Sequence, residues 1–179
     1  MDSSFAERLV AWQKKYGRNN LPWQKSHDPY VRWLAEIMLQ QTQVKTVIPY
    51  FDRFIERFPT VQDLAEAPEE EVMKLWAGLG YYSRARNLHK CAKEVQCRFN
   101  GSFPIELSDL ESLPGIGVST AAAIRSAATD EPCAILDGNV KRVLARHSMI
   151  GKGLTPSEAE KRLWADARAK TPQREGRTY

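Results

Sequence analysis

Two carboxylates stand apart in this chain by the company they keep. Glu36 is the single acid in the run Trp33-Leu34-Ala35-Glu36-Ile37-Met38-Leu39. A carboxyl among apolar side chains loses hydration in its charged form, so its pKa rises and it becomes a proton donor near neutral pH. A Glu on a solvent-facing stripe of the same helix is the alternative. Asp137 stands in Ile135-Leu136-Asp137-Gly138-Asn139-Val140, where a helix running to His147 begins. The first amides of such a helix bond to the carboxylate and keep it charged. An ordinary N-cap reads the same way, and one residue can do both jobs, because a capped carboxylate is already aimed. A protonated acid and an ionised carboxylate need different environments, and these two have them.

A third feature is the stretch Leu113-Pro114-Gly115-Ile116-Gly117-Val118-Ser119-Thr120-Ala121, with two glycines a residue apart between short helical patterns. Backbone there can approach a partner with no side chain in the way. Amides exposed where such a turn enters a helix make a site for an anion, commonly a phosphate.

The elements that must position these groups read as helices almost throughout. Ser4 and Glu7 form a capping-box pair ahead of a helix with Phe5, Leu9, Trp12 and Tyr16 on one face, stopped by Gly17. Asp28-Pro29 starts a second helix, which carries Val31, Leu34 and Met38. Val44, Val47, Ile48, Phe51, Phe54, Ile55 and Phe58 make the clearest apolar stripe, and Pro49 inside it predicts a kink or a late helix start. Further helices run through Val72, Leu75, Trp76 and Leu79, and through Leu88, Ala92, Val95 and Phe99. Thr155-Pro156-Ser157-Glu158 caps the last one, which contains Leu163 and Trp164. No segment alternates with a two-residue period between hairpin turns, so the fold class is all-α.

Composition sets wider limits. A chain of 179 residues forms one domain or two small lobes, and a net charge of +4 favours an anionic partner. No apolar run approaches a membrane span, and Met1-Asp2-Ser3-Ser4 lacks the basic and apolar regions of a secretory signal. Cys91, Cys97 and Cys133 fit no disulfide framework, which suits a reducing cytoplasm. His27, His89 and His147 show no metal-ligand spacing.

Leu21-Pro22-Trp23, the run from Trp33 to Thr42, and Gly78-Leu79-Gly80-Tyr81-Tyr82-Ser83-Arg84-Ala85-Arg86-Asn87-Leu88 resemble the catalytic segments of the adenine DNA glycosylases. With the Gly115–Gly117 hairpin and Asp137, they place the chain's likeness in the helix-hairpin-helix/endonuclease III superfamily. That resemblance implies two helical lobes with the active site in the cleft between them. A six-helix lobe would span 22–132, with the hairpin at about 107–125, and 1–21 would join 133–179 in the second lobe.

The resemblance also implies roles. Glu36 would protonate a mispaired adenine, Asp137 would stabilise the cation developing on the sugar, and Asn139 would help orient the site. The bond broken is N-glycosidic, opposite guanine or 8-oxoguanine, and the logic is that of a glycosidase. The base must be flipped from double-stranded DNA. Gln41 would enter the stack, and Tyr81, with Leu79 near it, would wedge the opposite strand; one of Tyr81 and Tyr82 would pack in the core. Trp23 and Gln24 would wall the base pocket.

Arg84, Arg86 and Lys90 lie near the wedge, and Lys141, Arg142 and Arg146 lie on the helix behind Asp137; some of these cations would meet phosphates, with an ordinary solvated helix face as the alternative. Ser119 falls where endonuclease III-type enzymes carry a nucleophilic lysine, which predicts a glycosylase that activates water and forms no Schiff base. The family's [4Fe–4S] loop of cysteines and its C-terminal domain have no counterpart in the 179 residues, so the expectation is a monomeric, cytoplasmic, shortened member with no cofactor and no metal. A silent DNA-binding fragment and a pyrimidine-specific lyase are the rival readings.

Overall fold

The computed structural model describes residues 4–151 and 153–179. Helix α1 (Phe5–Tyr16) opens on the Ser4–Glu7 capping box and stops at Gly17. A 3-10 turn, Pro22–Lys25, leads into α2 (Pro29–Leu39), where Asp28 caps the helix by accepting from the Tyr30 amide at 2.8 Å. Then follow α3 (Val44–Arg57), α4 (Val61–Glu66), α5 (Glu69–Trp76), α6 (Tyr82–Phe99), α7 (Leu107–Glu111), α8 (Val118–Thr129), α9 (Gly138–His147) and α10 (Pro156–Lys170). No strand occurs among the described residues.

The apolar side chains divide into two clusters. The larger is built around α2, which packs against α3, α6 and α8 and buries Trp33, Leu34 and Met38 completely. Trp33 meets Phe103 at 5.0 Å, and Phe54 meets Trp76 edge-on at 5.8 Å. Full burial of each such side chain is worth about 1.5–3 kcal/mol, so this cluster carries most of the stability. The smaller cluster joins Leu136, Leu144, Leu163 and Ala167, with Phe5 and Trp164 against its edge. Chain from α1, the segment before α9, α9 and α10 supplies it.

Two local expectations are corrected. Helix α3 neither starts late nor breaks at Pro49: it runs from Val44 to Arg57 with the proline inside. Pro49 is exposed, while Val47, Phe51 and Phe54 are buried, so the ring sits on the solvent side and the packed face overrides its cost. Helix α1 does not bury the face that carries Trp12 and Tyr16, which are 54% and 62% exposed. It buries Ala6 and Val10 instead. The smaller cluster meets only its first two turns, where Phe5 packs on His147 at 4.7 Å, and the later aromatics run past it.

The C-terminal residues tie back to the larger cluster's helices. Gly176 donates to the Asp130 carbonyl at 3.2 Å, and the Arg177 guanidinium donates to the Ala127 and Ala128 carbonyls at the end of α8, each at 2.9 Å. Glu175 pairs with Lys14 of α1. No helix among the described residues is long and apolar enough to cross a membrane.

Candidate active site

A cleft of about 1000 Å³ opens between α2, the start of α3, the first turns of α8 and the start of α9. Glu36, Asp137, Asn139, Ser119 and Gln41 all line it. Glu36 projects from α2 toward this cleft while Leu34, Ala35, Ile37 and Met38 on either side of it in sequence face the core. Burial of its carboxyl, reinforced by the negative charge of Asp137 and opposed by Arg32, pushes its pKa up to about 7. The acid is therefore substantially protonated at neutral pH.

Asp137 caps α9. Its Oδ1 accepts from the amides of Asn139 at 3.0 Å and Val140 at 2.7 Å, so Oδ2 carries neither bond. The segment leading into it is pinned by Ser119. The Leu136 amide donates to Ser119 Oγ at 3.1 Å, which clamps the strand-like approach to α9 against the first turn of α8. Ser119 thus holds the residue next to Asp137; the N-cap of α8 is Gly117.

Five sequence-derived assignments need correction. Trp23 is 5% exposed and packs edge-on against Phe51 at 5.3 Å, in the core and away from the cleft lining. Gln24 is spent locally: its Oε1 accepts from the Leu21 amide and its Nε2 donates to the Arg18 carbonyl, each at 2.9 Å. Leu79 is 5% exposed and belongs to the main core. Arg84 is buried, and its guanidinium donates to backbone carbonyls, so it has no face to offer a phosphate. The sequence predicted one tyrosine of the Tyr81–Tyr82 pair in the core, but both are exposed, because α6 begins at Tyr82 and the pair stands at its open end.

Sequence reasoning missed Arg18 and Lys45, which line the cleft beside Arg142. Arg18 follows the end of α1 and Lys45 lies in the first turn of α3, so neither belongs to a periodic pattern that would single it out. They give the cleft a cationic margin suited to an anionic ligand.

Backbone strain sits at Gln41 in the cleft lining and at Tyr81, which caps the start of α6. Gln41 (φ +57°) and Tyr81 (φ +48°) hold left-handed conformations that cost a non-glycine residue about 1–2 kcal/mol. Both are exposed, and residues held this way gather at functional sites. In the α7–α8 hairpin, Gly115 has φ +78°, and a Cβ there would come within 3.2 Å of Asn87. Gly117 has open space in front of it, so a partner can come close to its backbone.

The cysteines do not fit a metal cluster. Cys91 is buried on α6, Cys97 is exposed on the same helix and Cys133 is half-buried ahead of Asp137. Among the described residues no group of His, Cys, Asp or Glu could hold a metal ion.

An all-helical, two-cluster fold with a glycine hairpin and an acid–carboxylate cleft defines a class. The chain belongs to the HhH-GPD superfamily of base excision DNA repair proteins, whose family model matches residues 34–168. It is similar to the adenine DNA glycosylase of Buchnera aphidicola subsp. Baizongia pistaciae, with 48% identity over 168 residues covering 94% of this chain and 47% of that protein. The chain therefore spans about half the length of that relative. It is also 33% identical over 172 residues to the thymine/uracil-DNA glycosylase of Pyrobaculum aerophilum, covering 96% of this chain and 75% of that protein. Among solved structures, that of a thermostable thymine-DNA glycosylase superposes with a TM-score of 0.84 at 26% identity, covering 97% of this chain and 80% of that one.

Proposed function

We propose that this chain is the catalytic part of a monofunctional DNA glycosylase that removes adenine mispaired with guanine or 8-oxoguanine. The observation that carries the reading is Glu36 held half-neutral near pH 7 in the same cleft as the capped carboxylate of Asp137. Double-stranded DNA would dock its backbone on the Gly115–Gly117 hairpin, and the target adenine would leave the stack to enter the cleft. Gln41 and Tyr81, strained and exposed, would take up the space in the duplex.

Glu36 then donates its proton to a ring nitrogen of the adenine, which makes the base a neutral leaving group. Electrons of the N-glycosidic bond leave with the base, and positive charge grows on the sugar. The Asp137 carboxylate, fixed before the reaction begins, stabilises that charge. Water adds to the sugar and gives up a proton to the Glu36 carboxylate, which restores the acid and leaves an abasic site. Asn139 and the cationic margin of Arg18, Lys45 and Arg142 hold the strand.

The test is excision by the full chain on two duplexes, one with adenine opposite 8-oxoguanine and one with thymine opposite guanine. Release of adenine alone is the expected result. Thymine release alone would replace this reading with a pyrimidine-specific one, the activity in the name of the Pyrobaculum relative. Binding without release of either base would leave a silent DNA-binding module.

Ser119 offers a separate check on mechanism. The native chain should give no borohydride-trapped adduct, because a hydroxyl cannot form an imine. Ser119→Lys places an amine in the cleft and should gain trapping, at the expense of the Leu136 clamp. Strong trapping by the native chain would overturn the monofunctional mechanism.

A further inference from the structure

Arg84 joins the two loops that carry the strained residues. Its Nη1 donates to the carbonyls of Ile37 at 3.0 Å, Met38 at 2.8 Å and Gln40 at 2.6 Å, which close the end of α2 and lead directly into Gln41. Its Nη2 reaches Thr42 Oγ1 at 3.1 Å, just beyond Gln41, and the Gly80 carbonyl at 3.3 Å, immediately before Tyr81. The guanidinium also lies 5.3 Å from the centre of the Tyr81 ring and 5.2 Å from that of Trp76. One buried cation therefore grips the backbone on both sides of Gln41 and on the near side of Tyr81.

The chemistry suits arginine and no other side chain. Carbonyls at a helix C-terminus lack partners within the helix and attract positive charge. A planar fork with donors on two nitrogens serves two loops at once, whereas an ammonium is a single point. The side chain is 9% exposed, so water does not compete for these acceptors.

We propose that Arg84 is a positioning residue that makes the Gln41 and Tyr81 loops one rigid wedge, so that both enter the duplex together or not at all. This rests on the reading that Gln41 and Tyr81 enter DNA, and it assigns Arg84 no contact with the nucleic acid. Both residues hold left-handed conformations, and the guanidinium between their loops fixes the spacing between them.

The experiment reads base unstacking as the fluorescence gain of 2-aminopurine opposite 8-oxoguanine in a duplex saturated with the full chain. Arg84→Met should cut the gain about tenfold, the order of loss expected when a preorganised group is misplaced. Affinity for a fully paired duplex should stay unchanged, because the hairpin is untouched. Arg84→Lys, which keeps the charge but loses the fork, should show a similar loss and supplies the test if the Met variant does not fold. Val95→Ala, in the core end of α6 away from both loops, serves as a variant of lowered melting temperature. It should keep the full gain.

If Gln41→Ala and Tyr81→Ala lower the gain while both folded Arg84 variants keep it, the brace is wrong and the wedge stands. If Gln41→Ala and Tyr81→Ala keep the gain, the wedge reading itself is wrong. Equal losses in Val95→Ala and Arg84→Met at matched melting temperature would reduce Arg84 to a stabilising residue and overturn the proposal.

Discussion

Glu36→Gln should abolish adenine excision and at the same time stabilise the fold above neutral pH. The amide has the shape of the acid but no transferable proton, and loss of a general acid costs about a hundredfold or more in rate. The stability effect follows from the raised pKa of about 7 against an ordinary 4.5. Between those values the folded chain binds more protons than the unfolded one, so stability falls as pH rises through that window. Above it the native protein carries the whole penalty of a charged, buried carboxylate beside Asp137. A shift of this size corresponds to about 3 kcal/mol, reduced by whatever water reaches the carboxyl from the cleft. Gln removes that penalty.

Thermal melts of the two proteins should therefore separate at pH 8, with the variant higher, and converge at pH 4.5. The parent's excision rate should fall as pH rises through about 7, because the acid must be protonated to act. Melting curves that coincide at pH 8, or excision by the variant at a tenth of the parental rate, would remove Glu36 from its role.

The parts of the fold that the sequence made legible are those governed by local chemistry. Capping boxes at Ser4 and Thr155 and the Asp28 and Asp137 caps formed as their side chains dictate, because each bond spans three residues or fewer. Glu36 was legible because a single acid in an apolar run is visible in composition alone. What stayed hidden depends on partners distant in the chain. Arg84, Arg86 and Lys90 read as one charged face, yet Arg84 turns inward to carbonyls more than forty residues away. Trp12 and Tyr16 read as one apolar face with Phe5 and Leu9, but how much of that face is covered depends on the size of a cluster built largely by α9 and α10. Gln24 sits in a family motif, but its two bonds to Leu21 and Arg18 are set by the 3-10 turn and say nothing of a base. Arg18 and Lys45 enter the cleft from two unrelated elements, so no single segment could announce them.

Asp137→Asn and Asp137→Ala should part company on stability and agree on rate. Asparagine caps a helix about as well as aspartate, and its side-chain oxygen can still accept from the Asn139 and Val140 amides. Alanine loses both bonds, at a cost of about 1 kcal/mol. Neither variant offers a negative charge to a cationic sugar, and removing one preorganised electrostatic group costs about a hundred- to a thousandfold in rate. A third readout separates the roles further. Asp137 is one of the causes that hold the Glu36 pKa up, so neutralising it lowers that pKa. The residual activity of Asp137→Asn should therefore fade at a lower pH than the parent's, although the mutated residue is not the acid. Single-turnover rates across pH, beside thermal melts of all three proteins, measure each effect. An Asn variant that keeps the parental rate would reduce Asp137 to a cap, and an unshifted profile would mean that the two carboxylates do not share one field.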